Sequence, residues 1–137
     1  GLLRLAAAFQ ANGVLLDSDC CDPLYRKAIR VSMGHALSLP LAVTPDLPAT
    51  LMDLKQRGCA VWAAETTDDA VDLHTCPPGD RAVILVGNEG HGLSDTVLQA
   101  ADHVVRIPMA PGVPSLNVVS AASVVLWERA RGLPAVS

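Results

Sequence analysis

Apolar residues fall in short runs separated by amphipathic stretches, so two periods alternate along the chain. Residues 2–12 read as a helix ended by Asn12-Gly13, and residues 14–16 as a short buried strand. Asp22-Pro23 is a cap followed by proline in the first helical turn, opening a helix to about Met33 that Gly34 stops. Residues 36–43 read as extended, 46–57 as a helix closed by Gly58, and 59–64 as a strand. Residues 66–80, with Pro77, Pro78 and Gly79, read as loop. Residues 81–86 are the clearest buried strand, Ser94 caps a short helix, and 103–107 form another strand. The last helix covers about 117–131, with Val118, Ala121, Ala122, Val125 and Arg129 at helical spacing. This alternation predicts an α/β fold with a mostly parallel sheet flanked by helices. Residues 1–132 form the predicted domain, and 133–137 a loose tail. An α/β domain usually opens on a strand, so a strand is expected to precede Gly1 in the natural chain.

Composition narrows the classes. A chain of 137 residues suffices for one domain, and 50% hydrophobic with 18% charged residues excludes disorder. Aromatics are only 3%, which leaves the core to Ala, Val, Leu and Ile and suits a sheet covered on both faces. No apolar run reaches the roughly 18 residues of a membrane span, and no signal peptide is visible, so a cytoplasmic protein is expected. Net charge is −4, whereas a protein gripping RNA by charge alone should be basic. Arg26, Lys27 and Arg30, within one turn of each other, are placed to form a local phosphate-binding patch; a solvated helix face explains them as well. Cys20, Cys21, Cys59 and Cys76 lack CxxC spacing and read as reduced thiols, and the four histidines lack ligand spacing, so no metal is expected.

Two segments combine backbone-controlling residues with polar ones directly after a strand. In Ile84-Leu85-Val86-Gly87-Asn88-Glu89-Gly90-His91-Gly92-Leu93-Ser94, glycines allow close backbone approach at the carboxyl end of a strand, where α/β folds bind ligands. The spacing is neither the dinucleotide fingerprint nor the phosphate loop with its Lys, and a tight turn before a cap explains it equally well. In Ile107-Pro108-Met109 and Gly112-Val113-Pro114-Ser115-Leu116-Asn117, prolines stiffen a loop that then enters a helix. Ser115 or Asn117 serves there at least as a cap; a rigid loop of that length is costly unless it wraps something, such as the edge of an adenine.

The phrases LVGNEGHGLS and RIPMAPGVPSLNVVSAASVVLWE resemble the second and third signature motifs of the SpoU (TrmH-like) family of RNA ribose 2′-O-methyltransferases, and GLLRLAAAF resembles the tail of the first. The resemblance runs over essentially the whole chain. It implies transfer of a methyl group from S-adenosylmethionine to a ribose 2′-hydroxyl of structured RNA, rRNA or tRNA. It further implies a deep C-terminal trefoil knot and a homodimer built largely through the last and first helices, with an active site drawn from both subunits. Cofactor contacts map onto Gly87, Ile107 and Leu116, with Ala64, Glu65, Met109 and Ser115 lining the pocket. Arg4 carries the first-motif role of holding the target nucleotide, and Asn88, Glu89 and Asn117 orient Arg4 and the ribose. Arg4, Glu89 and Asn117 are therefore the expected catalytic residues, and Arg4, Arg26, Lys27 and Arg30 the expected RNA contacts. The sequence departs from the family pattern at Gln10, where a Gly is usual, and at Val119, often small. The first-motif Asn falls two residues before Gly1, and many relatives carry an N-terminal RNA-binding domain, which would reconcile the acidic charge. The competing reading is a non-catalytic knotted RNA-binding or assembly module.

Overall fold

The computed structural model describes residues 1–20, 22, 24, 26–77 and 81–131. Cys21, Pro23, Tyr25, Pro78, Gly79, Asp80, Gly132 and the tail 133–137 lie outside them. The chain divides into two compact units, residues 1–47 and 48–137.

In the first unit, α1 spans Leu2–Ala8 and not the predicted eleven residues. The chain turns early because Gln10 adopts the left-handed conformation, at φ 57°. Its N–H then reaches the Ala7 carbonyl at 3.1 Å, and the Ala11 N–H reaches Ala6 at 2.8 Å. This is a Schellman cap, which normally carries Gly at that position. Strand β1, Val14–Asp17, pairs in parallel with β2, Leu41–Thr44. Parallel neighbours need a crossover, supplied here by α2, Arg26–Val31, and a 3₁₀ turn, His35–Leu37. That turn replaces the start of the extended segment expected from residue 36. A second Schellman cap ends α2, with Met33 rather than Gly34 in its left-handed position. Both α1 and α2 pack against the His35–Leu37 turn.

Helix α3, Leu47–Gln56, leads into the second unit. Gly58, at φ 91°, closes it as predicted, with Cys59 N–H on the Leu54 carbonyl at 3.0 Å. The sheet of this unit has β3, Ala60–Ala64; β4, Val71–Asp72; β5, Ala82–Val86; and β6, His103–Arg106. Their order is β4-β6-β3-β5, all parallel. The sequence reading missed β4, along with the 3₁₀ turn Leu73–Thr75 after it, because two residues carry no period. Residues 81–86, the clearest buried strand in the sequence, do form a strand. That strand, β5, lies at a sheet edge with only Leu85 buried, whereas inner β3 buries Val61, Trp62 and Ala63. Core composition departs from expectation too: Trp62 joins Leu73, Val105 and Val125 at its centre. Helix α4, Asp95–Ala100, is capped by Ser94 as predicted, its Oγ accepting the Val97 N–H. Helix α5, Val118–Arg131, buries Ala122, Val125 and Arg129 on one stripe and packs on β3, β5 and the Leu73–Thr75 turn.

Candidate active site

Three loops leave one edge of the second sheet. Ala64 is paired in register with Val86 on one side and Val105 on the other, so β3, β5 and β6 end side by side. Their continuations are Glu65-Thr66, the glycine loop 87–93 and the proline loop 107–117. The carboxyl edge of a parallel sheet is where such folds bind ligands.

The glycine loop is closed on itself and tied to its neighbour. Gly92 N–H reaches the Asn88 carbonyl at 2.7 Å, and the Asn88 Oδ1 accepts the Gly90 N–H at 2.6 Å. A Cβ on Gly87 would lie 2.5 Å from the Gly92 carbonyl carbon and 2.7 Å from the Leu93 nitrogen, so no side chain fits there. Glu65 N–H continues the ladder to the Val105 carbonyl at 3.1 Å. Its carboxylate accepts the Thr66 N–H on Oε1 and the Leu93 N–H on Oε2, each at 3.1 Å. Glu65, expected as pocket lining, thus spends its carboxylate on two backbone amides.

The proline loop forms the wall of an open cleft of about 350 Å³, lined by Thr66, Asp72, Arg106, Ile107, Pro108, Met109 and Val113. Of the expected cofactor residues, Ile107 and Met109 line it directly. Ala64 sits behind, half-buried against the Trp62 cluster together with Ile107. Ser115 and Leu116 are exposed in the loop before α5 and do not line this cleft. At the rim Arg106 Nε donates to Asp72 Oδ1 at 2.8 Å. The sequence reading missed this pair because it took β4 for loop. The alternation of the 103–106 strand was the available signal, since Arg106 is exposed beside buried Val105.

Asn117 caps α5: its Oδ1 accepts the Ser120 N–H at 2.9 Å. Glu89 is exposed at the tip of the glycine loop and has no hydrogen-bond partner among the described residues. Arg4 is exposed on α1, likewise without a partner among the described residues. Arg26, Lys27 and Arg30 are exposed on α2, and α1 and α2 share the His35–Leu37 turn as packing partner. The four predicted RNA contacts therefore stand on two helices of one unit.

Below the opposite ends of the strands, Asp102 Oδ2 accepts the Val61 N–H at 2.7 Å and Oδ1 lies 3.3 Å from Lys55 Nζ. Burial pushes this carboxyl up, but the Val61 bond and the charges of Lys55 and His103 outweigh it and hold it below the usual carboxylate range. Burial pushes the Cys76 thiol up. Cys59 and Cys76 are free thiols. Among the described residues no group of three His, Cys, Asp or Glu side chains is placed to hold a metal, and no helix is long and apolar enough to cross a membrane.

Known proteins share both the sequence and this architecture. A tRNA/rRNA methyltransferase of Mycobacterium tuberculosis, uncharacterized, is 42% identical over 133 residues, 95% of this chain and 46% of that protein. An AdoMet-bound rRNA methyltransferase from Sinorhizobium meliloti superposes with a TM-score of 0.88 at 29% identity, over 98% of this chain and 51% of that one. An RNA 2′-O ribose methyltransferase superposes at 0.80 with 32% identity, over 94% of this chain and 49% of that one. The chain thus spans about half the length of the relatives it matches. The three loops at the strand ends lie within residues 1–127, which match the SpoU rRNA Methylase family model, and the chain belongs to that family.

Proposed function

We propose that this chain is the catalytic domain of an S-adenosylmethionine-dependent RNA methyltransferase that modifies a ribose 2′-hydroxyl of structured rRNA or tRNA. The observation that carries this reading is the convergence of the 65–66, 87–93 and 107–117 loops at one sheet edge, beside a cleft with apolar walls from Ile107, Pro108, Met109 and Val113. A cleft of about 350 Å³ lies within the roughly 300–1,000 Å³ of small-molecule sites, and stiff loop backbone beside apolar walls suits an adenine. Ile107 and Met109 would hold the cofactor, with the backbone of Gly87, Ser115 and Leu116 closing on it. When bound, S-adenosylmethionine supplies an electrophilic methyl group. The protein must align the hydroxyl and help remove its proton. A guanidinium is a very poor base, so Arg4 serves as cation and donor toward a phosphate or the developing alkoxide. Glu89, a carboxylate at the loop tip with no partner among the described residues, would orient the ribose and accept a proton. Arg26, Lys27 and Arg30 add phosphate contacts, offsetting an acidic net charge.

The same reading includes a trefoil knot in the C-terminal half, cytoplasmic location and a homodimer. The dimer is supported by α5, which leaves Val124 40% and Trp127 62% exposed on the side away from its buried stripe. The test is calorimetric titration with S-adenosylmethionine, followed by methylation of rRNA and tRNA transcripts and mass analysis of the nucleosides. A 2′-O-methylated nucleoside is the expected product. Methyl on a base would refute the ribose assignment, and cofactor binding without product would favour the non-catalytic module.

A further inference from the structure

We propose that Glu65 is a positioning residue for cofactor binding, a carboxylate clip that holds the glycine loop against the carboxyl end of β3. The inference rests on the methyltransferase reading above but concerns a different task from touching the cofactor. Its basis is the interlock around one side chain. Glu65 is fixed from behind by its N–H bond to the Val105 carbonyl. Oε2 takes the Leu93 N–H, the last amide before the Ser94 cap of α4. Oε1 takes the Thr66 N–H, and Thr66 lines the cleft with Ile107 and Met109. One carboxylate therefore joins the cleft wall to the end of the glycine loop.

The loop is shaped to admit that carboxylate. Gly92 adopts φ 66°, and a Cβ there would lie 2.5 Å from Glu65 Oε2. Gly87 packs on the backbone of Gly92 and Leu93, too closely for a side chain. Glu65, Gly87, Gly92 and Leu93 thus form one packed unit with no room for a side chain at either glycine. A carboxylate has acceptor capacity for both amides, whereas a glutamine offers a single acceptor oxygen. Holding the loop before the ligand arrives removes an ordering cost from binding, so the clip should act on affinity rather than on chemistry.

The experiment compares wild type, Glu65→Gln, Glu65→Ala, Gly92→Ala and the Glu65→Ala/Gly92→Ala double variant. Two readouts are used: amide hydrogen exchange at Leu93 and Leu98, and calorimetric affinity for S-adenosylmethionine. In Glu65→Ala the Leu93 amide should exchange at least about tenfold faster while Leu98, inside α4, stays unchanged, and affinity should fall about 10- to 100-fold, the worth of one charge-assisted hydrogen bond. At saturating cofactor kcat should stay within about twofold, and Glu65→Gln should lie between wild type and Glu65→Ala. The two single costs should be less than additive in the double variant, since removing the carboxylate removes its collision with the new methyl. Unchanged Leu93 exchange in Glu65→Ala would overturn the clip, and faster exchange with unchanged affinity would overturn its role in binding. Wild-type protein that binds no S-adenosylmethionine would sink the methyltransferase reading and this role together, while the exchange difference would still report the clip.

Discussion

Replacing Asp102 by Ala should destabilise the second unit by about 2 kcal/mol. The carboxylate makes two attachments, to the Val61 N–H at 2.7 Å and to Lys55 Nζ at 3.3 Å. Val61 is fully buried, so its N–H loses its side-chain acceptor on truncation, at about 1–3 kcal/mol. Asp102 is partly exposed, its side chain at 35%, and water can partly replace it, which favours the lower half of that range. The Lys55 pair adds no more than about 0.5 kcal/mol, since both partners are about one-third exposed. For a chain of this length the sum corresponds to a fall in Tm of roughly 6–8 °C. Asp102→Asn keeps an acceptor for Val61 and loses only the charge, so it should cost about half as much. The pH dependence follows from the direction of the shift. Because the folded state holds the carboxyl below its ordinary value, its contribution is present above the unfolded pKa and is lost as pH falls through the folded one. The gap between wild type and Asp102→Asn should therefore narrow below about pH 4, as the carboxyl gains its proton. Thermal melts followed by circular dichroism across that range provide the assay. A Tm for Asp102→Ala within 2 °C of wild type at pH 7, or a gap to Asn that widens below about pH 4, would refute the reasoning.

Gln10→Gly should raise stability by about 1 kcal/mol, measured by urea denaturation, because it relieves a left-handed non-glycine residue in a Schellman cap. Asn117→Ala should cost about 1 kcal/mol as a lost helix cap, and Asn117→Ser should restore most of it; if Asn117 also orients the ribose, Ser will recover the melting temperature but not single-turnover methylation. Arg4→Ala should lower methyl transfer at least about 100-fold with cofactor affinity unchanged, and Arg4→Lys should also be impaired because it lacks the planar fork; near-normal transfer by Arg4→Ala removes it from the site. Trp127→Asp should turn a dimeric mass in light scattering into a monomeric one, and a wild type already monomeric at micromolar concentration would refute the homodimer.

Local order was legible in the sequence wherever one residue's chemistry decides the backbone. Gly58 ends α3 in a left-handed conformation, Ser94 caps α4 through its hydroxyl, and a β-branched run makes β6 a strand. The motif residues also marked the loops that later proved adjacent. Tertiary structure decided what propensity opposes or what only neighbours supply. Gln10 and Met33 take up positive φ because two carbonyls at each helix end find N–H donors that way, although neither residue favours it alone. Strand β4 exists because two residues can pair with β6, a partner more than thirty positions away. The half-burial of β5 follows from its place at the sheet edge, which its apolar run does not announce. The task of Glu65 is the clearest case. A glutamate beside a pocket reads as a ligand contact, and only the approach of Leu93, twenty-eight residues on, turns its carboxylate toward the loop. Side-chain chemistry fixes the local turn, while register and packing decide which partner each polar group meets.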